Sequence, residues 1–392
     1  MKVDDIARPY DDMQKAEIEA IRKAIDHSGR AMVLSLSPGA TPIRAGEHVM
    51  RHANLWRITD DFWDRWPLLY AMFERLHAWT PYRRPGAWPD ADMLPLGVVD
   101  FGRPTRFSKD EQATLVSLWS IARSPLIFGG DMTRLDDVTI RFLTNPEVLQ
   151  VNQRSINNRQ ISREKNLIVW AADIPNSQDR YVALFNAQSV TDNLDFSRAN
   201  YTSGVVSRMG RSVNVSLRLE KAKILVLFVS DGGNGFSYDH AVWAEPTLSG
   251  PKGTLKLTDL PWSFAEAGWG APRVDRTCED KPLMISGTLV TGIGTHANST
   301  IVYELPEGYD TFTTRAVLTH RGSVEFGVLL DNGQALVKDK STVTVSFDDL
   351  GIWGKVMARD LWTHRNLGVF SGSFEQELPL HGAGLFRISP VK

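Results

Sequence analysis

The first 150 residues alternate between short apolar runs of strand type and amphipathic runs of helical type, and no other feature constrains the fold as strongly. "MKVDD" is short and alternating. "DDMQKAEIEAIRKAIDHSG" follows it, with Met13, Ile18, Ile21 and Ile25 near helical spacing and Gly29 as a stop. "AMVLSLS", "ANLWRITDD", "DMLPLGVV" and "SPLIFGGD" repeat the strand pattern. Between them stand "PIRAGEHVMRH", "DFWDRWPLLYAMFERLHAW" and "SKDEQATLVSLWSIARS", and "LDDVTIRFLTN" closes the series as a last helix. Ser108 and Glu111 have capping-box spacing. About five strand–helix units in succession predict a parallel sheet, either open or closed into a barrel.

From about Val151 the rhythm changes. Segments such as "NLIVWAAD", "RYVALFNAQ", "SVNVSLRL", "AKILVLFVSD", "TFTTRAVLT" and "SVEFGVLLD" are short, β-rich and separated by turn residues, which is the texture of a β-sandwich. The chain is long enough, at 392 residues, for two or three domains. A net charge of -2 gives no electrostatic reason to expect nucleic acid or an anionic membrane as a partner. No apolar run reaches the roughly 18 residues of a spanning helix. Cys278 is the only cysteine, so a disulfide framework and a cysteine-based metal site are both excluded.

Carboxyl ends of parallel strands are the natural place for chemistry. In "KVDD", Lys2 and Asp4 share one face of a strand, and Asp5 points the other way. A lysine beside an aspartate keeps the carboxylate ionised, as a nucleophile requires, although the same pair serves as an ordinary salt bridge. "WRITDDFWDRW" carries Arg57 on a strand, with Asp60 and Asp61 where the strand gives way to a helix, a position also suited to an N-cap. Asp90 and Asp92 stand ahead of the run "DMLPLGVV", where acidic residues are commonly loop surface. Several carboxylates on one rim fit glycoside hydrolysis, which needs two of them. His27, His48 and His52 show no clear metal-ligand spacing, and there is no glycine-rich phosphate loop, so no metal or cofactor is implied.

Five motifs, "KVDD", "WRITDDFWDRW", "PGAWPDADMLPLG", "SLWSIARSPLIFGGDM" and "NPEVLQVNQ", occur in that order over residues 1–153. They resemble the second half of the catalytic barrel of glycoside hydrolase family 27, the α-galactosidase or melibiase family. The resemblance implies the C-terminal part of a (β/α)8 TIM barrel, strands four to eight, followed by β-sandwich domains. It implies a retaining double displacement, with Asp4 as nucleophile and Asp61 as general acid/base. It makes Lys2, Arg57 and Asp92 substrate contacts, with Pro89 standing where many members have Asn. Ser37 in "SLSPGAT" occupies a position that helps set sugar choice, where galactosidases often have Glu and N-acetylgalactosaminidases a small residue. Galactose, N-acetylgalactosamine, arabinopyranose and glucose all stay open.

Within the β half, "RYVALFNAQ" and the segment from "STVTVSF" to the end resemble the sandwich that follows this barrel. "LFVSDGGNGFSYDHAVWAEP" and "GIGTHANSTIVYELPEGYDTFTTRAVL" resemble the carbohydrate-binding module NPCBM, in reversed order. The domain division expected is therefore 1–150 for the partial barrel, 151–192 with 338–392 for the terminal sandwich, and 193–337 for an inserted, permuted module. In that module Asp231, Asn234 and Asp239 are candidates for calcium or for turns, His240 and His296 for structural histidines, and Trp243 for core or sugar platform. The expected partner is an oligosaccharide or polysaccharide, with no nucleic acid and no membrane, and no sequence signal speaks to the oligomeric state. A periplasmic or extracellular location is implied by the resemblance, although the first residues carry no signal-peptide pattern. In the family the Lys-x-Asp strand is the fourth of eight. The resemblance thus implies three preceding strand–helix units, and a piece lacking them is expected to be poorly soluble or inactive.

Overall fold

The computed structural model describes residues 1–6, 10–189, 196–233, 235–332 and 340–391. The chain divides into two units, Met1–Ser189 with Lys338–Lys392, and Val190–Val337. The boundaries expected near 192 and 337 lie outside the described residues.

In the first unit, β1 (Lys2–Asp4), β2 (Ser35–Ser37), β3 (Leu55–Arg57) and β4 (Trp88–Asp90) pair side by side, all parallel. Among the described residues this sheet runs open from β1 to β4. A parallel bridge between Leu94 and Phe128 continues the same sense. Helices α1 (Asp12–His27), α2 (Gly46–His52) and α3 (Trp66–Ala78) alternate with the strands, and α4 (Lys109–Ala122), α5 (Asp137–Thr144) and α6 (Pro146–Arg154) follow. Asp11 caps α1 by accepting the Met13 N–H at 2.9 Å. Ser108 and Glu111 close the capping box of α4.

Four sequence expectations need correction here. The strand that pairs with β3 lies at Trp88–Asp90, whereas "DMLPLGVV" contributes only the Leu94 bridge and a two-residue strand, Val98–Val99, paired with Arg103–Pro104. Helix α3 starts at Trp66, so Asp60 and Asp61 lie in the preceding loop and cap nothing. "SPLIFGGD" forms a single bridge at Phe128 and no longer strand. "NPEVLQVNQ" holds an unforeseen helix, α6, which Asn145 caps through the Glu147 and Val148 N–H groups.

Helix α4 is buried on nearly every side. Leu115, Leu118 and Trp119 join one core with Phe73 and Leu76 of α3 and with Ile168, Trp170 and Phe185 of the sheet that follows. That sheet runs 365–371, 355–360, 383–390, 180–186, 167–173, 156–164 in strand order. Its other face, with Val169, Ala171, Val182 and Leu184, packs on Val343, Val345 and Phe374 from the 340–346 and 373–379 pair. Burial on both faces is why "LIVWAAD" and "YVALF" are continuously apolar instead of alternating.

The second unit is a sandwich of two antiparallel sheets. One orders its strands 201–206, 324–331, 224–230, 299–304, 264–267, the other 212–218, 311–318, 240–250, 292–296, 273–274. Leu225, Leu227, Ile301 and Phe326 from the first meet Trp243, Phe312 and Ala316 from the second. Trp243 is fully buried with its ring edge-on to Phe326, so it is core and not a sugar platform.

Asp64 pins the loop between β3 and α3. Its carboxylate accepts from Arg103 at 2.6 and 2.8 Å and from the Arg106 N–H at 2.5 Å. Burial pushes its pKa up, but these bonds and charges outweigh burial and leave it lowered. Asp64→Ala is expected to destabilise this unit by about 2–4 kcal/mol at neutral pH, because it strands a partly buried guanidinium and a backbone donor. A carboxyl with a lowered folded value contributes above its unfolded value and loses that contribution as pH falls through the folded one. The deficit read from denaturant melts should therefore shrink below about pH 4. A deficit unchanged between pH 7 and pH 3 would rule this account out.

Candidate active site

The strand register gathers the candidate side chains without further help. Asp4 lies opposite Ser37, and Arg57 lies opposite Asp90. Ser35 and Leu36 pair with Leu55 and Trp56, so Ser37 and Arg57 follow in step at the same carboxyl end. Each strand is only three residues long, so its last residue is where the sheet gives way to loop.

Lys2 Nζ sits 2.7 Å from Asp4 Oδ1. The Lys2 contact first, and the Ser37 hydroxyl next, hold the Asp4 carboxyl below the usual carboxylate range. Asp5, one residue on, turns left-handed at φ 54° and leaves the strand face. Arg57 is nearly inaccessible and forks to two carboxylates, Asp92 Oδ2 at 2.8 Å and Asp61 Oδ1 at 3.1 Å. The Asp61 side chain is 84% exposed, free to meet a ligand from the solvent side, whereas that of Asp92 is 14% exposed. Asp60 turns aside, with Oδ1 3.4 Å from the Ala40 N–H.

Asp92 is the most constrained of these residues. Its backbone is left-handed at φ 75°, a conformation aspartate tolerates better than most residues. Four contacts over-determine it. Its N–H donates to Asp90 Oδ1 at 2.9 Å, and its carbonyl accepts from Trp119 Nε1 at 2.9 Å. Its carboxylate accepts the Phe62 N–H at 2.8 Å beside the Arg57 contact. A non-glycine residue is held in this uncommon conformation only where its surroundings fix it.

Asp90 departs from its sequence reading as loop surface. It ends β4, is 3% exposed, and burial pushes its carboxyl up to about 6. The Asp92 N–H and the charges of Arg57 and Lys2 oppose that rise. The missed signal was the strand boundary: placing the strand after Asp92 hid the alternation that puts Trp88 and Asp90 on one face.

Other candidates stand elsewhere. Asp231 Oδ1 accepts the Gly233 N–H at 2.9 Å, a local turn, and Asp239 is buried, accepting the Ser323 N–H at 2.9 Å. Asn234, the third residue of that candidate calcium set, lies outside the described residues. His296 is buried with Nδ1 2.7 Å from the Ala297 carbonyl oxygen. His240 stacks on His320 and is lowered to about 4, by burial first and by His320 and His296 next. His27 bonds back to the Lys23 carbonyl, and α2 places His48 and His52 one turn apart beside Glu19.

A partial parallel barrel with acidic and basic groups at its strand ends, followed by β-sandwiches, defines a segment of the TIM-barrel glycosidase class. Residues 1–154 match the family model described as alpha galactosidase A, 321–388 its C-terminal β-sandwich domain, and 188–249 with 253–348 the NPCBM/NEW2 domain. The chain is thus similar to the α-galactosidases of glycoside hydrolase family 27 at both ends and to the NPCBM domain between them. It is 33% identical over 177 residues to alpha-galactosidase 2 of Arabidopsis thaliana, covering 44% of this chain and 42% of that one. It is 30% identical over 156 residues to the alpha-N-acetylgalactosaminidase of Homo sapiens, covering 37% and 36%. The solved GH27 β-L-arabinopyranosidase of Geobacillus stearothermophilus is 29% identical, with a TM-score of 0.59, over 100% of this chain and 57% of that one. The chain thus spans roughly half or less of the length of these relatives.

Proposed function

We propose that this chain carries the nucleophile-bearing half of the active site of a retaining glycosidase that cleaves terminal α-galactosides. The observation that carries the reading is the pairing, on one sheet end, of a carboxylate held ionised by Lys2 and Ser37 with an exposed carboxylate held by Arg57. Asp4 attacks the anomeric carbon and forms a glycosyl ester, while Asp61 gives its proton to the departing oxygen. Asp61 then takes a proton from the water that cleaves the ester, so the product keeps its configuration. Lys2, Ser37, Arg57 and Asp92 bind and orient the sugar. The substrate is the end of an oligosaccharide or polysaccharide, met outside the cytoplasm. No helix among the described residues is long and apolar enough to cross a membrane.

A second reading within the same mechanism is β-L-arabinopyranoside cleavage. It is favoured by the likeness to the Geobacillus enzyme, which extends over the whole of this chain. That sugar has the stereochemistry of α-D-galactopyranose without the exocyclic hydroxymethyl group, so the same carboxylates serve both. Nitrophenyl α-D-galactopyranoside, β-L-arabinopyranoside and α-N-acetylgalactosaminide, followed by product NMR, test both readings. Retained configuration is expected on at least one of the first two from a form of the protein that turns over. Inverted product from such a form would overturn the double displacement, and sugar binding without turnover by any form would make it a carbohydrate-binding protein instead.

A further inference from the structure

Away from the strand ends, α1 and α2 bring together Glu19, His48 and His52, whose candidate ligand atoms all lie within 4.8 Å of one another. His48 and His52 are four residues apart on α2, so their rings lie on one face, with centroids 4.5 Å apart. Glu19 reaches across from α1 to place Oε1 3.1 Å from His48 Nε2. We infer that Glu19, His48 and His52 form a binding site for a divalent transition cation, zinc in the first instance, that bolts α1 to α2.

The donor chemistry selects the cation. Two imidazoles and one carboxylate suit zinc, with nickel, cobalt and copper as competitors, and do not suit calcium or magnesium, which take oxygen ligands. Zinc bonds of about 2.0–2.1 Å in a tetrahedron put neighbouring ligand atoms roughly 3.3 Å apart. The Glu19–His48 separation already meets that, and the remaining distances close by side-chain rotation. The fourth position is left to water.

An outer shell is in place as well. The Tyr10 hydroxyl lies 2.6 Å from His48 Nδ1, the nitrogen that would not face the metal. Liganding histidines are commonly fixed by a hydrogen bond at their second nitrogen. Here the Nδ1–H would donate to the Tyr10 oxygen, leaving the Nε2 lone pair for the cation. Tyr10 is buried.

Cobalt(II) titration of the 392-residue chain, read by its visible d–d absorption, tests the site directly. One tetrahedral equivalent is expected, displaced by zinc and untouched by magnesium or calcium. His52→Ala and, separately, Glu19→Gln should each weaken cobalt binding at least tenfold. His320→Ala, in the exposed histidine stack of the other unit, should leave it unchanged. Zinc should also raise the melting temperature of the unaltered chain, and not that of His52→Ala. Absence of a tetrahedral cobalt spectrum in the unaltered chain overturns the inference, as does a spectrum that survives both His52→Ala and Glu19→Gln.

Discussion

In a form of the protein that turns over, Asp4→Asn is expected to reduce turnover of an aryl α-galactoside roughly 10,000-fold or more, about 5.4 kcal/mol of barrier. The amide is nearly isosteric and keeps an acceptor for Lys2 and Ser37, so the sheet end should hold its shape. What it loses is the anion that bonds to the anomeric carbon. The Lys2 contact at 2.7 Å serves an ionised group, and the lowered pKa keeps Asp4 ionised across the working range of a carboxylate-based enzyme. Stereochemistry separates this role from a structural one. In Asp4→Ala, the vacated space admits azide to the face that the carboxylate occupied, and a single displacement then gives the β-galactosyl azide with inverted configuration. Recovered rate with inverted product fits only a nucleophile at Asp4. A mechanism-based fluorinated sugar that labels Asp5, or nothing, would remove the assignment.

What could be read from the sequence divides along the reach of each interaction. Lys2 and Asp4 were legible because a period of two fixes their shared face with no tertiary information. The capping box of α4 was legible for the same reason, since Ser108 and Glu111 are within one turn. Asp90 was misplaced because Pro89 argues against a strand, yet β4 is the last strand of the described sheet and pairs on one side only. "DMLPLGVV" looked like the strand because its core-filling apolar residues carry the same composition. The N-terminal signal of α6 was present in Asn145 and Pro146, and the segment was read for its motif and not for its cap. The His48–His52 pair was within reach at helical spacing, but its meeting with Glu19 was not, because that contact spans 29 positions and depends on how α1 and α2 pack. The choice of Asp61 over Asp60 came from the family pattern; in the structure Asp61 meets Arg57 and Asp60 accepts the Ala40 N–H.

Asp61→Ala is expected to behave differently from Asp4→Ala, and the contrast bears on how the two carboxylates divide the work. A general acid/base contributes about 100- to 10,000-fold, and the loss depends on the leaving group. Galactosides with an alkyl or sugar leaving group need protonation and should lose most of that factor. A dinitrophenyl galactoside departs readily as an anion, so its glycosylation step should be nearly spared. Hydrolysis of the glycosyl ester then becomes limiting, because no base activates water. Azide needs no base, so it should restore rate with this substrate and give the α-galactosyl azide with retained configuration. The exposed position of Asp61 suits this exchange, since water and azide approach from the same side as the leaving group. Arg57 should survive the change in place, because Asp92 still holds it at 2.8 Å. The carboxyl groups of Asp4 and Asp61 are expected about 5–6 Å apart in the sugar-bound state, the separation of retaining enzymes. Asp61→Ala that slows all leaving groups equally, or that leaves the pH–rate profile unchanged, would take the acid/base role away from Asp61.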